Sequence, residues 1–190
     1  MNRLNKKKIV GVLTVVVTIG LSLLLISIPT DKLLNNIGTD NAYVFMYLVA
    51  FLGSITTFAS IPYPLILIGL VAAGMDPLII GVVSALGVIT SDSVTFFVSK
   101  KGQILLSKKL QIAFDSLAKY IKKYPRLLTP GLVVYGTVSP LSNDFAVISL
   151  SLMKYKYFRV IPPLAIGNIL YNVGLAFLGV YAYHWIIGIF

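Results

Sequence analysis

Ile61-Pro62-Tyr63-Pro64-Leu65-Ile66-Leu67-Ile68-Gly69-Leu70-Val71-Ala72-Ala73-Gly74 is the stretch on which the fold turns. Two prolines break an apolar run. The piece that follows, Leu65 to Gly74, reaches only about 15 Å at the α-helical rise, half the hydrocarbon thickness of a bilayer. The apolar stretch before the break, Ala42 to Ser60, is long enough to cross, but Leu65 to Gly74 is then too short to bring the chain back. The pair therefore predicts a re-entrant helical hairpin with Pro62 and Pro64 at its tip. A second break, Ser139-Pro140-Leu141-Ser142-Asn143-Asp144, lies between two further short apolar stretches, Leu127 to Ser139 and Leu141 to Met153. It predicts a second hairpin with Pro140 at the tip.

Composition places both breaks in a membrane. Of 190 residues, 57% are hydrophobic and 12% charged, and the mean hydropathy is +0.91, too apolar for a soluble domain of this size. The basic residues behind the formal net charge of +10 lie, apart from Lys32, in clusters at Arg3 to Lys8, Lys100 to Arg126 and Lys154 to Arg159. Clusters that flank apolar runs are topology signals rather than a nucleic-acid surface. The chain has no cysteine and no glutamate, and His184 is its single histidine. This removes disulfides, thiolate chemistry and the glutamate-dependent zinc motifs. His184 lies beside Trp185, too far from any serine and acid for a triad.

Three stretches are long enough to cross: Ile9 to Ile28, Leu78 to Ser99 and Val160 to Ala182. The first follows Lys6-Lys7-Lys8, has no small-residue cleavage pattern after it, and reads as a retained span with the N-terminus cytoplasmic. From Leu33 to Ser99 there is no Lys or Arg, so the first hairpin enters from outside. Leu78 to Ser99 then crosses inward to the basic stretch at Lys100, the second hairpin enters from inside, and Val160 to Ala182 carries the C-terminus outside. The predicted fold class is an all-α integral membrane protein. It has three full transmembrane helices and two oppositely oriented re-entrant hairpins, in a single membrane domain over residues 1–190 of a multi-pass cytoplasmic-membrane protein. Residues 42–99 and 127–182 form an inverted repeat, joined by an interfacial amphipathic helix within 100–126 whose stripe is Leu106, Leu110, Ala113, Leu117, Ile121 and Tyr124. Gly87 with Asp92 five residues on, and Gly167 with Asn172 five residues on, give the repeat a faint sequence signature.

Polar residues inside such a fold are costly and mark function by default. Asp92 sits within a predicted span with no cation at its depth, facing Asn172 under the repeat and close to Asn168. Asp144 follows Pro140 at the start of a half-helix, where it can cap backbone N–H groups or bind a proton, a cation or polar substrate groups together with Asn143, Tyr135 and Ser139. Interhelical hydrogen bonding alone is the structural alternative for these residues. No metal cluster or cofactor is expected.

The order of Pro62-Tyr63-Pro64 and its apolar run, then Pro140-Leu141-Ser142-Asn143-Asp144, then Gly167-Asn168, resembles the DedA family, also called the SNARE-associated Golgi protein or VTT-domain family, over roughly residues 40 to 182. The resemblance implies two facing re-entrant hairpins and movement of lipids across the membrane, with ion gradients as a candidate driving force. Two positions depart from the pattern. Leu65 and Ile66 stand where many members carry an acid, and Thr137 and Asn143 stand where many carry an arginine, so the chain resembles a smaller branch and no carrier-lipid substrate is assigned. The expectation is a non-enzymatic transporter-like protein of the plasma membrane, with membrane lipids and possible protons or cations as partners and a possible homo-oligomer. The alternatives are a small ion or solute transporter and a non-catalytic assembly factor for membrane proteins. A lipid phosphatase or transferase lacks the arginine, lysine or paired carboxylates that phosphoryl chemistry needs at the tips.

Overall fold

The computed structural model describes residues 38–55, 63–101, 112, 116, 119, 125–138 and 143–187 of the 190. The predicted first span, Ile9 to Ile28, lies outside the described residues, as do Pro62, Pro140 and most of the connector. Within the connector, Ile112, Ser116 and Lys119 are helical and exposed. The described residues contain helices and no strand: α1 (Thr39–Ile55), α2 (Tyr63–Ala72), α3 (Pro77–Lys101), a 3-10 turn (Pro125–Leu127), α4 (Leu128–Val138), α5 (Asn143–Leu152) and α6 (Tyr157–Ile187). Two of them, α3 and α6, are long and apolar enough to cross a membrane; the other four are shorter apolar helices.

Burial follows the helical period although hydropathy does not. On α1 the buried residues are Ala42, Met46, Val49, Ala50 and Gly53, one face of a helix, while Val44, Leu48 and Leu52 on the other face are large, apolar and exposed. A helix that is apolar all round is placed by packing shape, and glycines mark where backbones meet.

Helix directions follow from these contacts. Gly81 packs on the Val173 backbone, and the Phe97 and Tyr157 rings stack with centroids 5.2 Å apart, so α3 and α6 are antiparallel neighbours. Early in α1, Ala42 and Met46 share an apolar cluster with Met75 and Ile80 at the head of α3, and further along Ala50 and Phe51 abut Gly87. Hence α1 runs with α3. In the same way Leu128 and Leu132 cluster with Tyr157 and Val160, and Gly136 abuts Gly167, so α4 runs with α6. Tyr63 engages Asn172 and Ile68 abuts Gly179, which lays α2 along α6 and therefore against the direction of α1. Asn143 reaches Asp92, and the Ser151 hydroxyl donates to the Phe96 carbonyl at 2.8 Å, which lays α5 along α3 and against α4. Two helical hairpins result, one starting from each end of the α3/α6 pair. In each, the first arm packs chiefly on its own long helix and the second crosses to the other.

The halves repeat at an interval of eighty residues (154 − 74). Both α2 and α5 have 10 residues. Each ends in a Schellman turn: Met75 N–H donates to Leu70 O and Gly74 N–H to Val71 O, matched by Tyr155 N–H to Leu150 O and Lys154 N–H to Ser151 O. The left-handed residue is Gly74 (φ +99°) in one turn and Lys154 (φ +60°) in the other.

The long helices exceed their predicted limits. The sequence places the last span at Val160 to Ala182, but α6 runs from Tyr157 to Ile187 with Pro162 and Pro163 inside it. Arg159 N–H bonds back to Lys156 O at 2.9 Å, so the helix starts before the prolines. The carbonyls four residues ahead of the prolines belong to Phe158 and Arg159, both exposed at the helix end.

Candidate functional site

The register of α3 forces its acid inward. Gly81, Ser84, Ala85, Val88 and Asp92 are all buried and fall on one helical face. On α6, Leu164, Asn168, Asn172 and Ala176 do the same at intervals of four. Where the two faces cross, the apolar packing gives way to carboxylate and amide groups.

Asp92 is 1% exposed. Its Oδ2 accepts from Asn168 Nδ2 at 3.0 Å and from Asn143 Nδ2 at 3.3 Å. Asn143 Nδ2 also donates to Asn168 Oδ1 at 2.6 Å, so α5 is tied by its first residue to both long helices. Asn172 Nδ2 donates to the Asn168 carbonyl at 2.8 Å, and its Oδ1 accepts from the Ser84 hydroxyl at 3.0 Å. The chain of donors thus runs from Ser84 through Asn172 to Asn168, and from Asn168 and Asn143 to Asp92. Asp144, in the first turn of α5 and buried, lies close enough to Asp92 for the two charges to interact.

Two short helices point their N-terminal ends at this cluster, because Tyr63 opens α2 beside Asn172 and Asn143 opens α5 beside Asp92. Their positive dipole ends favour negative charge or electron-rich oxygen there. The repeat relates the contacts as well, since Asn143 is the counterpart of Tyr63 and Asn172 that of Asp92 (143 − 63 and 172 − 92 are both 80). Among the described residues the buried polar and charged side chains are serines, asparagines and aspartates, with no Lys, Arg or His. No group of metal-binding side chains occurs among the described residues either.

Of the residues singled out from sequence, Asp92, Asn143, Asn168 and Asn172 form one hydrogen-bonded cluster with Asp144 beside it. Tyr135 is half-buried and packs with the Leu132, Val160 and Leu164 cluster. Pro64 lies in the first turn of α2, the part of a helix where a missing N–H costs least. Sequence reasoning missed Ser84, whose signal is its place eight residues before Asp92 on the same face. It also missed the Tyr63 hydroxyl, which it treated only as part of a tip.

The two ends of the α3/α6 pair differ in charge. At one end Phe96, Phe97, Tyr157 and Phe158 form an aromatic stack, and Lys100, Lys154, Lys156 and Arg159 around it are exposed. At the other end stands Asp76, which caps α3 by accepting the Ile79 N–H on Oδ1 at 2.9 Å.

No protein-family model, no curated protein and no solved structure matches this chain.

Proposed function

We propose that this chain is an integral membrane protein in which α3 and α6 cross the bilayer and the α1/α2 and α4/α5 pairs enter as re-entrant hairpins from opposite faces. The polar cluster between them passes the headgroup of a lipid or other amphipathic substrate from one leaflet to the other, the activity that the likeness to the DedA family implies. The observation that carries this reading is an inverted polarity. Asp92, Asp144, Asn168 and Asn172 are enclosed, while Leu48, Leu86, Val94, Phe97, Leu170 and Leu178 face outward. Water would favour the reverse, and lipid favours this arrangement.

The chemistry suits a headgroup. Amides, hydroxyls and carboxylates at the crossing can replace its hydration water, and the apolar flanks of the hairpins can keep acyl tails in hydrocarbon. The basic end at Lys100, Lys154, Lys156 and Arg159 belongs in the cytoplasm by the positive-inside rule, and the Asp76 end outside. A cytoplasmic membrane and a basic interfacial connector over 100–126 complete the proposal.

The test is leaflet exchange. Wild-type protein reconstituted in liposomes with quenchable reporter phospholipids should accelerate exchange over protein-free liposomes, and Asn168→Leu and Asp144→Asn should each slow it. No acceleration, or equal rates in the wild type and both variants, overturns the reading.

A further inference from the structure

Asp92 has two oxygens in unlike surroundings. Oδ2 accepts two amide N–H groups, whereas Oδ1 accepts no hydrogen bond among the described residues, although the side chain is 1% exposed. A carboxylate held this way has half its acceptor capacity out of contact with water and unmet by protein.

Among the described residues the surrounding groups supply no positive charge. From α5 comes Asp144, a second acid; from α2 comes the Tyr63 hydroxyl, with Tyr171 near it; from α6 come the neutral amides of Asn168 and Asn172. Tyr47 on α1 gives its hydroxyl to Thr90, and Tyr135 on α4 packs in the Leu132 cluster. Asp92 carries the only charge of α3 between Pro77 and Ser99. Its counterpart across the repeat shows what a self-sufficient group looks like at this place: Asn172 has its oxygen filled by Ser84 and its amide donated to Asn168 O. Among the described residues the cluster therefore completes itself at one of its two equivalent positions and leaves a carboxylate oxygen unmet at the other.

We propose that Asp92 Oδ1 is a binding site for one exchangeable monovalent cation, a proton or a sodium ion. A divalent ion is the wrong class: it calls for several carboxylates in its shell, and no group of three or more acidic, histidine or cysteine side chains occurs among the described residues. A single positive charge matches the unmet oxygen of Asp92, and the amides already turned toward Oδ2 hold the carboxylate in place for it.

Binding is tested by thermal unfolding of the purified full-length chain in detergent micelles, at constant ionic strength, with sodium exchanged for potassium or a bulky organic cation and with pH varied separately. A sodium site gives a saturable rise in Tm with sodium at fixed pH, because a ligand that binds only the folded state stabilises it by mass action. A proton site gives no sodium response and a Tm that falls as pH is raised, because the folded chain holds a proton that the unfolded chain releases. In either case Asp92→Asn, which keeps the shape and removes the charge, loses the response, and Asp76→Asn, at an exposed acid outside the cluster, retains it. A wild-type Tm indifferent to sodium and to pH overturns the proposal, as does an Asp92→Asn protein that responds as the wild type does. No lipid flux enters the measurement, so its outcome is separate from that of the leaflet-exchange assay.

Discussion

Gly87 and Gly167, eighty positions apart (167 − 87), meet the same obstacle: a methyl group on either would lie 2.5 Å from a main-chain oxygen, that of Tyr47 for one and of Val133 for the other. Neither oxygen belongs to a flexible side-chain end. Each glycine is the point where the first arm of a hairpin touches its own long helix, so close approach is what seats the hairpin. Gly87→Ala and Gly167→Ala should each destabilise the fold by about 1–3 kcal/mol, the usual cost of overpacking. Gly174 is the control, since a Cβ there meets nothing within 4 Å. Gly174→Ala should be neutral or gain up to about 1 kcal/mol of helix propensity. Denaturant-induced unfolding in mixed micelles ranks the three.

The two Schellman turns make an independent pair of predictions. Gly74 at φ +99° and Lys154 at φ +60° fill the same left-handed position, which glycine occupies freely and a residue with a Cβ does not. Lys154→Gly should stabilise the turn between α5 and α6 by roughly 0.5–1 kcal/mol, and Gly74→Ala should cost the turn before α3 about as much or more. The opposite signs, read as shifts in Tm, distinguish backbone strain from a general effect of substitution at the turns.

Much of this architecture was legible because the chain states it in lengths. Leu65 to Gly74 is too short to cross, and the structure duly reverses there; Pro77–Lys101 extends the predicted Leu78 to Ser99 by a residue or two at each end. Asp92, Asn168 and Asn172 stood out because an acid and two amides are costly in apolar helices. Their hydrogen-bond partners were less visible. Ser84 is one of many hydroxyls on α3, and most of the others return to their own helix: Thr90, Ser93 and Ser99 donate to the carbonyls of Leu86, Ile89 and Thr95. Only the packing of α3 on α6 singles Ser84 out. The limits of α6 were less legible, because the apolar stretch alone bounds the span at Val160 to Ala182, whereas the helix runs from Tyr157 to Ile187 with Pro162 and Pro163 in its early turns.

Ser84 also gives a test of the amide chain. Its hydroxyl is the donor to Asn172 Oδ1, and both residues are fully buried. Ser84→Ala leaves that oxygen without its donor and should cost about 1–3 kcal/mol, whereas Ser99→Ala, which removes only a bond to its own helix, should cost less than about 1 kcal/mol. A loss at Ser84 no larger than that at Ser99 would mean that Asn172 finds another donor and that the chain from Ser84 to Asp92 is not a structural unit.

The opposed orientation of the hairpins is tested by chemistry at two equivalent turn residues, Asp76 and Lys156 (156 − 76 = 80), both exposed and both just ahead of a long helix. Each carbonyl accepts from the first turn of its long helix: Ile80 N–H bonds to Asp76 O, four residues back, at 3.0 Å, and Arg159 N–H to Lys156 O, three residues back, at 2.9 Å. Their charges are opposite, and the antiparallel packing of α3 and α6 puts them at opposite ends of the molecule. Because the chain contains no cysteine, Asp76→Cys and Lys156→Cys each introduce a single thiol. In intact cells a membrane-impermeant maleimide should label Asp76→Cys, and Lys156→Cys should react only after the membrane is opened. Asp76→Cys also loses the α3 cap, worth about 1 kcal/mol, too little to unfold the chain. Labelling of both thiols from the same side would place the two turns on one face of the bilayer and remove the opposed hairpins on which the proposed headgroup passage depends.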